Sequence, residues 1–128
     1  MTTRRIVSRF SLAIVSVASF ALLAACSGVS PRDERAENMK RGELLVAAIQ
    51  QYVDHFGSPP TSLEILVPDY LDEIPQTYGG SEFKYILTAD DPKDPWWLFF
   101  ELASDGSGCG YHPRLERWDC SPPGAGDV

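Results

Sequence analysis

Three cysteines, two histidines and a scatter of aspartates are the residues of this 128-residue chain whose types could do chemistry. Cys109, His112 and Cys120 lie close together, and Asp119 adds a fourth donor. Sulfur and imidazole suit zinc, but this spacing matches none of the usual zinc patterns. The other use of such a pair is a bond between the two thiols. Asp90, Asp91 and Asp94 crowd one loop, and Asp105 sits in a later turn. Their hard oxygens suit calcium, although the EF-hand spacing is absent; a solvated acidic loop accounts for the same residues. His55 and His112 would serve as general bases only beside a nucleophile within hydrogen-bond reach. No Ser or Cys motif supplies one, so the chain does not read as an enzyme and no cofactor is expected, calcium being the one candidate. Cys26 stands apart from all of these, at the end of the longest apolar run.

The surroundings of Cys26 explain it. Arg4, Arg5 and Arg9 are followed by an uncharged stretch, "FSLAIVSVASFALLAA", from Phe10 to Ala25. A basic segment and a short apolar one form the pattern of a secretory signal peptide. The run falls short of the roughly 20 apolar residues that a spanning helix needs. Arg4-Arg5 also invites a twin-arginine reading, which the residues after the pair do not support. Leu23-Ala24-Ala25-Cys26 resembles the lipobox of bacterial lipoproteins. The residue types fit that chemistry: a thiol nucleophilic enough to take a diacylglyceryl thioether, preceded by small residues that let a signal peptidase close on the backbone. The resemblance implies that residues 1–25 are a signal peptide. It also implies that Cys26 carries the lipid and that residues 26–30 are a tether. Each buried acyl methylene contributes about 0.8 kcal/mol, and stable anchoring needs more than one chain.

Two consequences follow from that resemblance. With Cys26 acylated, Cys109 and Cys120 are left as an even pair in an exported domain, which reads as a disulfide rather than a metal site. The mature chain keeps all 18 acidic residues and loses three of the 11 basic ones, for a net charge of −10. So acidic a surface disfavours nucleic acid and anionic headgroups, leaving the covalent lipid as the link to the membrane. Ser27, rather than Asp, follows the cysteine. In a host with two membranes, resemblance to sorted lipoproteins then implies the outer membrane, facing the periplasm.

The elements that position the remaining residues are legible in outline. Ser30 as N-cap, Pro31 at the first position and Asp33 and Glu34 in the first turn predict a helix start. Leu45, Ile49, Tyr52 and Phe56 recur at helical spacing, and Gly57 with Pro59 and Pro60 ends the helix. The expectation is one helix over residues 31–56. Its charged first half, through Arg41, is solvated and softened by Gly42, and its second half packs on a core. Thr61-Ser62-Leu63-Glu64 has the capping-box pattern, predicting a short helix or turn as far as Val67. Asp69–Pro75 is a loop pinned by Leu71 and Ile74, and Tyr78-Gly79-Gly80 is a turn. Strands are expected at 82–87, 96–102, 109–112 and 116–120, followed by a disordered tail at 121–128. Trp96, Trp97, Phe99 and Phe100 cannot share one face of a strand. One face fills the core, and the other is covered by loops or forms a contact surface.

This order resembles the heads of type II secretion pseudopilins and related type IV pilin-like proteins. The stretch "AIQQYVDHFGSPPTSLEILVPDYLDEIP", Ala48–Pro75, carries the likeness through Tyr52, the Gly57–Pro60 corner, Leu63, Leu66, Leu71 and Pro75. Tyr78-Gly79-Gly80 and the "LASDGSG" turn at Leu102–Gly108 are similar to turns of that family. The resemblance covers about half of the mature chain. It implies an α+β domain over residues 31–120, a long helix on an antiparallel sheet of three or four strands, with calcium a candidate in its turns. The apolar half-helix of a pilin is replaced here by the polar segment Pro31–Arg41. A pilin-like head re-anchored by lipid is therefore the expectation. It would be a non-enzymatic envelope lipoprotein acting through contacts with an envelope protein, as an accessory to a secretion, pilus-type or other envelope assembly. The alternative is a small periplasmic enzyme inhibitor or ligand-binding lipoprotein.

Overall fold

The computed structural model describes residues 28–88 and 90–121. Residues 1–25, read above as a signal segment, Cys26, Ser27 and residues 122–128 lie outside the described residues. One helix, α1 (Pro31–Phe56), is followed by a short 3₁₀ turn at Leu63–Leu66. Strands β1 (Lys84–Leu87), β2 (Trp96–Glu101), β3 (Gly108–His112) and β4 (Arg117–Ser121) come next. They form one antiparallel meander in the order β1-β2-β3-β4. This is the expected α+β arrangement, and β2, the most apolar strand, lies inside the sheet. Ser121, expected to open the tail, is instead the last residue of β4.

The ends of α1 are set by local chemistry. The Asp33 N–H donates to Ser30 Oγ at 3.2 Å, and the Ser30 hydroxyl donates to the Asp33 carboxylate at 2.7 Å. At the other end Gly57 adopts the left-handed conformation, φ 78°, and its N–H reaches the Val53 carbonyl. Glycine takes this conformation without the Cβ clash that penalises other residues. No helix among the described residues is long and apolar enough to cross a membrane.

Leu45, Ala48 and Ile49 of α1 pack over Leu98 and Phe100 of β2, joined by Leu63, Leu66, Phe83, Trp96, Leu102 and Tyr111. Full burial of each Leu, Ile or Phe contributes about 1.5–3 kcal/mol. Rings meet edge to face or stacked, as in Phe83–Phe100 at 5.8 Å and Trp96–Tyr111 at 5.7 Å. The Tyr85 hydroxyl donates to the Pro60 carbonyl at 2.8 Å, tying β1 to the corner after α1.

Three expectations need correction. The first half of α1 is not simply solvated: Glu34, Asn38 and Gly42 are buried. Gly42 is a notch rather than a soft point, because a Cβ there would stand 2.5 Å from Trp118 Cζ2. The capping box does not form: Ser62, not Thr61, caps the 3₁₀ turn, and no side-chain bond closes it. A single 3₁₀ turn leaves few orphan N–H groups, so Leu63 and Leu66 hold it by burial against the core instead. Finally, β1 starts at Lys84 rather than residue 82, and Leu87 at its far end on the sheet edge is exposed.

Candidate functional site

The meander pairs Cys109 with Cys120 directly across β3 and β4, and the two are joined as a disulfide. Their sulfurs are therefore not free to ligate a metal with His112 and Asp119. Among the described residues, no group of three or more His, Cys, Asp or Glu could hold a metal ion. The four aspartates read as calcium ligands are not brought together. Asp91 Oδ1 accepts the Lys93 N–H at 2.9 Å, and Asp94 Oδ1 accepts the Arg114 N–H at 3.1 Å. Asp105 Oδ1 accepts both the N–H and the hydroxyl of Ser107. These bonds, the hydroxyl's before the N–H's, with the more distant Arg35 charge, hold the Asp105 carboxyl below its usual range against a desolvation cost. Its carboxylate shapes the β2–β3 turn.

Neither histidine faces a nucleophile of the expected kind. His55 Nδ1 lies 2.8 Å from the Tyr70 hydroxyl, and the His112 ring meets the edge of Trp97 at 4.9 Å. Burial raises both Tyr85 and Tyr111 above the usual phenol range, helped by Tyr52 for the first and by Glu43 and Glu116 for the second. Neutral phenols on the inner side of a sheet pack and donate hydrogen bonds.

The four aromatic residues of β2 divide as alternation requires. Trp96 and Phe100 point into the core; Trp97 and Phe99 point out. Register places Ile86 of β1 opposite Trp97, while His112 faces Trp97 from β3. Trp97 is 42% exposed and Ile86 51%. Phe99 bends over β3, where Gly108 and Gly110 present no side chains, and its ring lies against the Gly108 backbone. Lys84, paired with Glu101 at 3.2 Å, sits over the Phe99 ring. Among the described residues, no helix covers this outer face. An aromatic ladder bordered by opposite charges can stack against and hydrogen-bond a partner.

A second constellation gave no signal of its own in the sequence. Glu34, 3% exposed, accepts the Ala103 N–H at 2.6 Å and the Ser104 N–H at 3.1 Å. One turn along, fully buried Asn38 accepts the Tyr78 N–H at 2.6 Å, and Arg41 donates to the carbonyls of Gln76 and Thr77. Burial alone would raise the Glu34 carboxyl, but hydrogen bonds from Ser104 and Ala103 outweigh it and hold the group below the usual range. The polar first half of α1 is thus the dock for two turns, Thr77–Ser81 and Leu102–Ser107. Those turns touch in their turn, since a Cβ on Gly79 would lie 2.9 Å from Ala103 Cβ. The feature that could have revealed this seam is Glu34 and Asn38 at i and i+4, on one face of a helix. Their partners are more than 35 residues away and carry no pattern.

The chain matches no protein-family model, no curated protein and no solved structure.

Proposed function

We propose that this protein is a non-enzymatic lipoprotein of the bacterial envelope, held by acyl chains on Cys26, whose α+β head works by contact with other envelope proteins. In a host with two membranes, its place is the outer membrane, facing the periplasm. The head is pilin-like in the order of its elements, and accessory service to a secretion or pilus-type assembly is the role that order fits. The observation that carries the contact reading is the outer face of the sheet. Ile86, Trp97 and Phe99 stand together with His112 on a surface that no element among the described residues covers. Aromatic residues of this kind are enriched at the energetic centres of protein interfaces. The lipobox and its flanking charges support the anchor.

A photo-crosslinking residue placed at position 97 in living cells tests the reading. Covalent capture of a specific envelope protein, lost when Ile86 and Phe99 are changed to Ser, is the expected result. An uncrosslinked protein at native abundance would count against it. The anchor is tested separately: Cys26→Ser should abolish palmitate labelling, and a variant that still labels would overturn the lipid assignment.

A further inference from the structure

Away from the sheet, the chain between Pro68 and Pro75 leaves a groove against the flank of α1, about 470 Å³ in volume. Its apolar lining comes from Leu44 on the helix and from Tyr70 and Leu71 on the loop. Leu44 is 56% exposed. Asp69, Asp72 and Glu73 line the same groove, and all three are exposed. None of the three takes part in a hydrogen bond or salt bridge among the described residues. Glu82, Asp90, Glu116 and Asp119 are likewise exposed and without such bonds among the described residues; Asp69, Asp72 and Glu73 differ from them in sharing one groove with apolar side chains. No Lys or Arg lines the groove.

We propose that this groove is a docking site for a basic amphipathic segment of a partner protein, one that places an apolar side chain on Leu44 and Leu71 and Lys or Arg side chains on Asp69, Asp72 and Glu73. Charge complementarity selects the occupant. An acidic peptide or an anionic lipid surface meets three uncompensated carboxylates, and a purely apolar segment leaves them without partners. Laying an amphipathic segment along an apolar groove is an established mode of peptide recognition. The site is separate from the outer sheet face, and it names partner chemistry for the contact reading on which it rests.

The probe is a fluorescent 14-residue amphipathic peptide of Leu and Lys, titrated by anisotropy into the full chain held in detergent. We expect saturable binding that weakens as salt rises. Asp69→Asn/Asp72→Asn/Glu73→Gln together, and Leu44→Asp alone, should each weaken binding at least tenfold. Neutralising a matched set of exposed carboxylates, Asp90, Glu116 and Asp119, should leave it within twofold. Circular dichroism of each variant checks that the fold is retained. Equal loss in the two neutralised sets, or equal binding of a Ser-for-Leu peptide, would show general attraction to an acidic surface and overturn the proposal. A partner captured at position 97 in cells, alongside absent peptide binding, would sink the groove and leave the contact reading standing.

Discussion

Glu34 shows how one side chain can be placed by the whole fold. Its position in the first turn of α1 favours an acid for local reasons, since a helix amino end attracts negative charge. The structure adds two N–H donors from the β2–β3 turn. Hydrogen bonds to a charged group contribute about 1.5–3 kcal/mol each, and stranding the donors costs more. Glu34→Ala should therefore destabilise the protein by about 2–4 kcal/mol in urea denaturation at pH 7. The acid dependence has a definite sign. The folded carboxyl lies below its ordinary value of 4.5, so its contribution is complete above that pH and is lost as pH falls through the lower folded value. Glu34→Gln should flatten the stability profile below about pH 4.5, where the parent declines. An unchanged acid slope would remove Glu34 from the account. Gly42 gives a second test at this scale. Helix propensity alone favours Ala by about 1 kcal/mol, yet the new methyl would meet Trp118. Gly42→Ala should lower stability by about 1–3 kcal/mol, as overpacking does; a rise in the melting temperature would show that Trp118 swings aside freely.

At the scale of elements, local signals proved reliable where the partner is near in sequence. Ser30, Pro31 and Gly57 bound α1 at the residues expected, because caps act within one turn. Alternation in "WWLFFE" divides Trp96 and Phe100 from Trp97 and Phe99 as a two-residue period demands. The failures share a cause. The burial of Glu34, Asn38 and Gly42 depends on turns and a strand that arrive 40 to 76 residues later. The aspartates looked like a ligand set because composition records proximity in sequence and omits the backbone N–H groups that bond Asp91, Asp94 and Asp105. The Cys109–Cys120 bridge is a prediction for the β3–β4 hairpin. It closes a short loop, with a separation of 11 residues, so its removal should cost about 2–3 kcal/mol. Thermal unfolding with and without reductant measures this, and Cys109→Ala/Cys120→Ala should match the reduced protein. A shift below the scan-to-scan error would mean that the core carries the hairpin unaided.

For the whole molecule, orientation matters as much as stability. A 26-residue helix is about 39 Å long, and the proposed anchor lies a few residues before its first turn. With Cys26 acylated as proposed, the end of the head that carries Glu34, Ala103 and Ser104 would be tethered nearer the bilayer than the Gly57 corner. A brominated-lipid series should quench tryptophan weakly, because Trp96, Trp97 and Trp118 all lie on the sheet rather than at the tethered end. Strong quenching would mean that the head lies flat on the membrane. The notch at Gly42 carries a last consequence, for the timing of folding. The ring that fills it belongs to Trp118, and Trp118 Nε1 also donates to Glu43, 75 residues earlier. In a chain that emerges amino end first, the helix is made first and its surface is completed last. Contacts this distant along the chain slow folding and leave little to stabilise a partial product. If the chain is exported as proposed, it would stay threadable through a membrane pore until β4 arrives and closes the fold.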